Sequence, residues 1–506
     1  DPLWSRGLGD VYKRQEQDRD LISGLGISTD FVDPFTMLSL EDQPAHQLQR
    51  SVLYAQNKFK GKAIAALDHP SKQPQRLRLG YFSGDFHAHP VMRLIVKMLE
   101  LHDRSAFEVH GFSFGPDHDD DVRKRLAKSF DTFHDVREMS DQNIAELARS
   151  IGIDIAIDLT GYTQNGRSAI FPYRPASVQV SYLGYPGSMG TDFIDYLIAD
   201  RTLIPEQSQK FYSEKIVYMP HCYQVSDNSR LTVKPGVTRA ELGLPETGFV
   251  FCCFNHNYKI TPREFDIWMR LLTRVEGSVL WLRRSNKWSE INLKKEAETR
   301  GVEPGRLVFA QECTYSEYLI RLTKADLFLD TFNYNAGAIA NDALWSGLPV
   351  LTLQGQSYVA RMASSLLTAI NLSELIASTE DDYEQLALDL AGNPEKLESI
   401  KARLSTTRGS SLLFDTEQFT KDIETAYRRM YDRYFTGENP DHLFINEQQP
   451  VQVSPLPPGP ADTPEKEQLD ALVGLYNKGQ LEEVVSQAGT LSEQFPRSIF
   501  LHNILG

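Results

Sequence analysis

Cysteine is scarce in this sequence, and long apolar runs are missing from it. The chain has four cysteines in 506 residues, none of them in a CxxC spacing: Cys222, Cys252, Cys253 and Cys313. This usage favours neither a disulfide framework nor a zinc site, so we predict a reducing compartment and no metal site. No apolar run approaches the length of a membrane span, and the first residues lack the basic-then-apolar signal pattern. We therefore predict a cytoplasmic protein without a membrane partner.

Positive charge is also in deficit. Lys and Arg number 53 against 68 Asp and Glu, which gives a formal net charge of -15 and a pI near 5.4. Nucleic acid and anionic membranes are therefore not expected as the main partners. A content of 41% hydrophobic and 24% charged residues is that of an ordinary globular protein. Since 506 residues exceed what one hydrophobic core usually fills, at least two domains are expected.

Strands and helices alternate in two long blocks of the chain. The first block, residues 76–223, opens with a predicted strand at 77–82, a polar loop and an amphipathic helix at 91–101. The second block, residues 245–435, continues the alternation and closes with a predicted helix around 416–434, which could pack back across both domains. Such βα alternation predicts parallel sheets wrapped by helices, so the fold class is α/β.

The two ends of the chain have different patterns. Residues 1–15 match nothing downstream, and their DVYKRQ segment back-translates to the end of a common sequencing adaptor, so we suspect an assembly artefact. Residues 16–70 are predicted as a helical lead-in. Residues 448–464 hold a proline cluster typical of a semi-rigid linker, and residues 465–506 lie close to the pattern of one tetratricopeptide (TPR) hairpin. Because one such unit cannot bury its own apolar face, we expect a truncated TPR region of a longer protein.

One stretch predicts an anion site at the end of a strand. Residues 327–329 form an apolar run closed by Asp330, and a loop rich in Asn, Ala and Gly leads to a predicted helix at 339–345 and a strand at 350–353. A loop of small residues there lets backbone N–H groups and the positive end of the helix dipole approach a phosphate. We therefore predict an anionic ligand, in particular a nucleotide diphosphate. Taken alone, residues 335–338 would favour a tight turn without a ligand.

Five sequence blocks between residues 76 and 434 carry a more specific signal. They are GYFSGDFHAHP, DLTGYTQNGR followed by RPASVQVSYLGYPGSMG, CFNHNYKITP, SVLWLRR, and LFLDTFNYNAGAIANDALWSGLPVLT with QSYVARMASSLL after it. Together they resemble the catalytic region of protein O-GlcNAc transferases and their SPINDLY-like relatives. The resemblance implies a GT-B architecture, in which two Rossmann-like domains face each other across a cleft. It also implies metal-independent transfer of a sugar from a nucleotide diphosphate to Ser or Thr with inversion, without a cofactor.

The resemblance assigns the donor side of this reaction to the second block. The family's matching lysine is Lys259, which would hold the diphosphate and steady the charge that develops on the leaving nucleotide. Asn335 and Asp342 also match the family, and Asp342 is expected at the ribose hydroxyls. Gln356 and Arg361 follow the strand at 350–353 and are expected at the edge of the donor site. A solvated lysine and a surface-paired arginine are the alternative interpretations of Lys259 and Arg361.

The chain departs from the animal enzymes at several donor-side positions. His256 stands where those enzymes have a Gln beside the nucleotide, and Gly337, Ala338 and Ile339 replace a His-Thr-Thr sequence around the phosphates. Backbone N–H groups at the start of the helix must then hold more of the phosphate. Tyr315 replaces a Lys that flanks the base, which leaves the choice between uracil and guanine open.

The acceptor side is assigned to the first block. His89, in the loop after the first strand, is expected to orient or deprotonate the acceptor hydroxyl, and a loop histidine that caps the next helix is the alternative. Asp85 is interpreted as a loop hydrogen-bond acceptor. Asp154 stands where the animal enzymes have a His. The remaining acceptor-side candidates are Tyr162, Gly184 and Pro186, and the two loop residues Gly184 and Pro186 are expected to shape the cleft.

Three functions remain open from the sequence. The first is a protein O-GlcNAc transferase that uses UDP-GlcNAc and selects its polypeptide acceptor through TPR repeats. The second has the same fold but uses GDP-fucose, as SPINDLY-like relatives do. The third is a catalytically silent TPR scaffold, for which the replaced His-Thr-Thr sequence is the supporting feature.

Overall fold

Two all-parallel sheets organise the part of the chain that the structure describes. The structure is a computed structural model that describes residues 24–27, 31–60, 67, 69–230, 236–409, 411–446, 468, 471, 475 and 481–494. The suspected artefact at 1–15 and the predicted linker at 448–464 lie outside these residues. The strands are β1 Leu77–Ser83, β2 Phe107–Ser113, β3 Thr132–Asp135, β4 Ile155–Asp158, β5 Val178–Ser181, β6 Tyr196–Ala199, β7 Lys215–Tyr218, β8 Val250–Cys253, β9 Val279–Arg283, β10 Leu307–Ala310, β11 Leu327–Leu329, β12 Val350–Leu353, β13 Ile376–Ala377 and β14 Leu443–Phe444.

Helices cover both sheets. The α-helices among the described residues are α1 Pro34–Met37, α2 Pro44–Lys58, α3 Pro90–Leu101, α4 Asp121–Ser129, α5 Asp141–Ile151, α6 Pro262–Arg274, α7 Lys287–Thr299, α8 Tyr315–Leu322, α9 Ala338–Trp345, α10 Met362–Ala369, α11 Glu380–Gly392, α12 Pro394–Thr407, α13 Thr416–Phe435 and α14 Leu481–Gln494. Residues 34–37 and 44–58 lie within the predicted helical lead-in. The α/β class is confirmed.

The strand order places a switch point in each sheet. The first sheet has the order β14-β7-β6-β5-β4-β1-β2-β3, and the second has the order β10-β9-β8-β11-β12-β13. The direction of winding reverses between β1 and β4 in the first sheet and between β8 and β11 in the second. Ligands of open parallel sheets bind beyond the carboxyl ends of the strands at such points. The loops after β1, β4, β8 and β11 are therefore the places to look for a site.

The last part of the chain before residue 447 returns to the first sheet. Helix α13 buries Ile423, Tyr427 and Met430 in the core of that sheet, and β14 pairs with the edge strand β7. The predicted second block ends with this helix, which was expected to pack back across both domains, and the structure packs it as α13 against the first sheet. The sequence did not predict β14, which has two residues and owes its place to pairing with a distant strand.

Residues 447–506 form a separate unit of the chain. Within it the structure describes the helix α14, with Val484 and Ala488 buried against Leu475 and Leu491. Most residues on which the TPR prediction rests lie outside the described residues, so the repeat stays a prediction. Among the described residues, no helix combines the length and the apolar character that crossing a membrane requires.

Candidate active site

Two loops of the second sheet meet at its switch point. The loop after β8 carries His256 and the short 3-10 turn Asn257–Lys259, and the loop after β11 runs from residue 330 to the start of α9 at Ala338. Strand β8 pairs directly with β11, so both loops leave the sheet side by side. The fold therefore places the CFNHNYKITP block and the Asn-rich loop next to each other at the carboxyl ends of β8 and β11.

Lys259 lies buried between these two loops. Its Nζ donates a hydrogen bond to the Asn335 carbonyl at 3.2 Å and lies 3.5 Å from the centre of the Tyr334 ring. The side chain is not a solvated surface lysine, because the residue is only 7% exposed. An ammonium has three N–H donors, and this is its one hydrogen bond to the described residues. The Tyr334 ring covers a second direction of the ammonium, and the remaining donor capacity is available to a ligand.

Asp330 organises the second loop. Its carboxylate accepts hydrogen bonds from Asn255 Nδ2 (3.0 Å), the Ala336 N–H (2.8 Å), the Thr331 N–H (2.9 Å) and Thr352 Oγ1 (2.8 Å). The residue is fully buried. From the sequence, Asp330 was predicted only as the end of a strand, although an acid directly after a buried apolar run is a signal of this role. Its role is to fix the loop that faces Lys259.

Burial shapes the electrostatics of this pair. It lowers the pKa of the Lys259 ammonium and raises the pKa of the Asp330 carboxyl, while their mutual attraction opposes both shifts. Two amide oxygens close to them, Asn255 Oδ1 and Asn335 Oδ1, are buried without a hydrogen-bond partner among the described residues. A buried polar atom normally has a partner. The pocket therefore has both a cation and unused acceptors to offer to a polar ligand.

The start of α9 offers backbone N–H groups to a ligand, because no residue there carries a side-chain hydroxyl. The helix begins after Gly337, and a Cβ on that residue would lie 2.4 Å from Met362 Cε. A larger residue would therefore require the Met362 side chain to move. Ala338 and Ile339 follow with apolar side chains. The first N–H groups of a helix have no partner within it, so they are the groups that this end can direct at an anion.

Asp342 is already engaged by other side chains. Its Oδ1 accepts hydrogen bonds from Arg230 Nη1 at 2.9 Å and from the Tyr315 hydroxyl at 2.7 Å. Arg230 also donates to Asn341 Oδ1 at 2.8 Å and lies over the Trp345 ring. The carboxylate is part of a buried ion pair, and the expectation that Asp342 binds the ribose hydroxyls stays a prediction. A ribose could share it only through its remaining lone pairs.

Two other predicted donor-side residues also have protein partners. His256 Nε2 accepts a hydrogen bond from Arg283 Nη1 at 2.8 Å, and burial together with this arginine lowers the His256 pKa to about 4. Arg361 donates to the Thr202 carbonyl at 2.7 Å and to the Gly355 carbonyl at 2.8 Å. Arg361 is therefore not a free cation at the edge of the site but a link between the two sheets.

His89 ends the loop after β1 and precedes α3. Its Nδ1 is buried without a hydrogen-bond partner among the described residues, 3.9 Å from Asp85 Oδ2. The side chain as a whole is 35% exposed, so the rest of the ring is accessible. Burial, with smaller effects from His87 and Arg93, lowers the His89 pKa to about 4. The imidazole is thus neutral at neutral pH, as a proton acceptor must be.

Asp85 lies between two imidazoles. Its carboxylate oxygens are 3.9 Å from His87 Nε2 and from His89 Nδ1. Burial and the nearby Asp158 raise its pKa to about 6. The carboxylate accepts no hydrogen bond from the described part of the chain, so it is not the loop acceptor that the sequence suggested. Its position instead allows it to stabilise positive charge on His89.

The other acceptor-side candidates have structural contacts. The Tyr162 hydroxyl donates to the Met189 carbonyl at 2.6 Å, and Pro186 is buried in the neighbouring loop. A Cβ on Gly184 would lie 2.0 Å from the Leu159 carbonyl oxygen, so only glycine allows this approach of the loops after β4 and β5. These residues shape the floor of the first switch point. None of them offers a free polar group.

Asp154 lies at the opposite edge of the first sheet. It directly precedes β4, and its carboxylate accepts a hydrogen bond from the Arg78 N–H at 2.8 Å, next to the start of β1. The structure therefore does not bring Asp154 together with His89 and Asp85. Alignment with the family's His position did not show this location. A residue that directly precedes a strand lies at the amino end of the sheet, whereas the loops with His89 and Asp85 lie at the carboxyl end.

The two sheets face each other across their switch points. The Arg93 guanidinium of α3 lies 4.2 Å from the centre of the Tyr315 ring of α8. The Cβ position of Gly337 is 3.6 Å from Gln224 Nε2 and 3.7 Å from the Tyr223 hydroxyl. The loop that follows β1 and the start of α9 thus belong to one site lined from both domains.

One group of metal-type ligands lies beside this site. Ligand atoms of His87, His118 and Asp120 come within 4.8 Å of one another. The two imidazole rings stack, with centres 4.0 Å apart and an angle of 21° between them. Lone pairs in nearly parallel ring planes do not converge on one ion, and Asp120 already accepts from the Ala88 N–H at 3.0 Å. In this arrangement the group does not fit a metal centre.

Comparison with known proteins identifies the architecture. The family model of glycosyl transferase family 41 matches residues 57–235 and 232–423. The chain is 34% identical over 435 residues to a probable UDP-N-acetylglucosamine–peptide N-acetylglucosaminyltransferase, SEC, of Arabidopsis thaliana, covering 82% of this chain and 44% of that protein. The SPINDLY protein of Petunia hybrida, which carries the same enzyme description, is 30% identical over 384 residues, covering 73% of this chain and 40% of that protein.

A solved structure gives the same result. A mutant O-GlcNAc transferase of Thermobaculum terrenum superposes with a TM-score of 0.74 and 29% identity, covering 80% of this chain and 78% of that chain. The predicted GT-B architecture of two facing Rossmann-like domains is confirmed. The chain spans less than half the length of the two curated plant relatives.

Proposed function

Since this chain belongs to glycosyl transferase family 41, we propose that it transfers a sugar from a nucleotide diphosphate to Ser or Thr hydroxyls of proteins, with UDP-GlcNAc as the first-choice donor. The observation that carries the proposal is Lys259, a buried ammonium with unused donors at the carboxyl ends of two adjacent strands. The names of the relatives support GlcNAc as the sugar and a peptide as the acceptor.

The donor side would act through fixed charge and backbone dipoles. Lys259 and the first N–H groups of α9 would hold the diphosphate and stabilise the charge that builds on it as the sugar leaves. Such groups can supply the stabilisation that a divalent cation provides in other glycosyltransferases. This is the basis on which we propose a metal-independent reaction without a cofactor.

The acceptor side would act through His89. In a single displacement, the acceptor oxygen forms a bond to C1 of the sugar while the bond from C1 to the diphosphate oxygen breaks, which inverts the configuration at C1. The hydroxyl proton passes to the neutral His89 imidazole, and the nucleoside diphosphate leaves with the bonding electron pair. A carboxylate at 3.9 Å, that of Asp85, would stabilise the imidazolium that forms.

The polypeptide acceptor and the location complete the proposal. TPR repeats would select the acceptor, which is supported by the pattern of residues 465–506. A cytoplasmic location is supported by the low cysteine content, which is typical of a reducing compartment.

A nucleotide panel tests this proposal and separates it from the two alternatives. Thermal unfolding would be followed with UDP, GDP, UDP-GlcNAc and GDP-fucose, because a ligand that binds only the folded state stabilises it by mass action. Selective stabilisation by the uridine compounds, followed by GlcNAc transfer to a peptide library, is expected. Selective stabilisation by the guanosine compounds would favour the second alternative, a protein O-fucosyltransferase that uses GDP-fucose. No shift with any nucleotide would favour the silent scaffold.

A further inference from the structure

We propose that the helical lead-in positions the donor loop, and that Asp42 is the positioning residue through which it acts. The inference rests on the proposed function, because it concerns the loop that would hold the diphosphate. The part of the lead-in on which the inference rests, residues 31–60, lies almost entirely before the matched family region, which begins at residue 57. Its role is therefore argued from its contacts in this structure.

Asp42 occupies a small anion-binding nest in the second domain. Its Oδ2 accepts from the Gln356 N–H and its Oδ1 accepts from the Ser357 N–H, each at 2.7 Å. Consecutive backbone N–H groups that point at one carboxylate form such a nest. A Cβ on Gly355 would lie 2.3 Å from Asp42 Oδ2, so the carboxylate sits directly against the backbone. Only glycine at position 355 leaves room for the Asp42 carboxylate at this distance.

The nest connects to the residue that holds Lys259. The turn at 355–361 closes through the Gly355 N–H, which donates to the Ala360 carbonyl at 2.8 Å. Inside the turn, the Val359 carbonyl accepts from the Asn335 N–H at 2.8 Å. The Asn335 carbonyl in turn accepts from Lys259 Nζ at 3.2 Å. Asp42 is therefore linked to the ammonium by a short series of backbone contacts.

Two further contacts from the lead-in reach the same loop. The Phe35 ring meets the Tyr334 ring edge-to-face with centres 6.3 Å apart, and Tyr334 is the ring that lies against Lys259 Nζ. The Ser39 carbonyl accepts from Asn333 Nδ2 at 3.1 Å. Two contacts from the lead-in thus reach residues 333 and 334 directly, and the contact of Asp42 reaches residue 335 through the turn at 355–361.

The lead-in is itself held by the first domain. Ser51 Oγ lies 3.3 Å from the Tyr185 hydroxyl, and the Tyr54 ring packs edge-to-face on Tyr162 with centres 4.9 Å apart. The segment thus bridges the loops of the acceptor side and the loop of the donor side. This gives the lead-in a defined function, which is to set the position of the donor loop relative to the first domain.

Asp42→Asn is the variant that tests this role, and Glu41→Gln is its matched control. An amide has one acceptor oxygen, so its NH2 group would face one of the two N–H donors of the nest. Glu41 is the neighbouring carboxylate, but it pairs with Arg50 inside the lead-in at 2.5 Å. Loss of general lead-in stability would affect both variants, whereas loss of the nest would affect Asp42→Asn alone.

The first readout is hydrogen exchange, which does not depend on the identity of the ligand. We expect Asp42→Asn to speed amide exchange in peptides that cover residues 333–337 and 355–359, while Glu41→Gln leaves them as in the wild type. Asp42→Glu, which keeps both acceptor oxygens, should restore part of the protection. Unchanged exchange at 333–337 in Asp42→Asn would overturn the proposal, and so would equal exchange in the two carboxylate variants.

The second readout is nucleotide affinity by titration calorimetry with UDP and GDP. We expect Asp42→Asn to raise the Kd of the nucleotide that the wild type binds by about tenfold, which is 1.4 kcal/mol, and Glu41→Gln to change it less than twofold. An unchanged Kd in Asp42→Asn would overturn the positioning role. If the wild type binds neither nucleotide, the proposed function fails, and the exchange experiment still decides the role of Asp42. Phe35→Leu, which reduces the contact with Tyr334, provides a second variant should Asp42→Asn not fold.

Discussion

Replacing Lys259 by Met tests the donor site most directly, because it removes the charge and keeps most of the side-chain volume. Among the described residues, the ammonium makes one hydrogen bond, to the Asn335 carbonyl, and it lies against the Tyr334 ring. A hydrogen bond to a charged group contributes about 1.5–3 kcal/mol, so we expect the Kd of UDP to rise by about 10- to 150-fold. The charge on the leaving diphosphate is larger in the transition state, so kcat should fall further, by about 10²- to 10³-fold.

The assay combines titration calorimetry with UDP and a GlcNAc transfer assay at saturating donor. Lys295→Met, on the exposed side of α7, is the matched control and should change neither quantity by more than twofold. Circular dichroism should show that the Lys259 variant is folded, since Asp330 keeps its hydrogen bonds from Asn255 and Thr352. A folded Lys259→Met protein whose Kd and kcat both equal the wild-type values would refute the role of Lys259.

Three further predictions concern the first domain. His89→Asn should lower kcat by about 10²- to 10⁴-fold and leave the Kd of UDP unchanged, because it removes the proton acceptor but no donor contact; equal loss of UDP binding would contradict this assignment. Asp85→Asn should raise the midpoint of urea unfolding at pH 7.5. The folded-state pKa of Asp85 is raised from 3.8 to about 6, so its ionised form is penalised in the native state, by an order of 2–3 kcal/mol. The gain should shrink at pH 5, where wild-type Asp85 is mostly protonated, and a gain that is independent of pH would be inconsistent with the raised pKa. Gly184→Ala should destabilise the fold by about 1–3 kcal/mol because its Cβ would meet the Leu159 carbonyl oxygen, whereas Gly392→Ala, with open space around it, should not; the two melting temperatures measure the difference.

The sequence predicted most of the fold because buried parallel strands are short apolar runs that local patterns reveal. The predicted strands at 327–329 and 350–353 coincide with β11 and β12. The missed elements depend on distant partners. Strand β14 is a two-residue strand that pairs with β7, more than 220 residues earlier in the chain, and no local periodicity marks it. The helix α13 itself was predicted, together with its possible return across both domains, but its exact packing against the first sheet depends on tertiary contacts and not on the pattern of the helix.

The sequence predicted where the candidate site lies, but not which of its residues contact each other. Lys259 and the loop after β11 were identified because the motif and the strand ends both point to them. Arg230 and Asp342 contact each other although they lie 112 positions apart, and no pattern in either segment predicts this contact. The same holds for Asp42, whose carboxylate meets backbone N–H groups rather than a side chain. Backbone donors have no sequence signature, so contacts of this kind become visible only in the structure.

These pairings explain how the donor site can hold a cation ready for an anion. A buried lysine beside a buried aspartate would ordinarily neutralise it in a direct ion pair, and its charge would then be unavailable. Here Asp330 is surrounded by four neutral hydrogen-bond donors, while Lys259 Nζ bonds to a carbonyl instead of to that carboxylate. The ammonium thus keeps donors free in a pocket from which water is largely excluded. In the proposed reaction, the position of the ammonium would be fixed before the ligand arrives, so little reorganisation would be needed when charge develops on the diphosphate and the stabilisation would be correspondingly large.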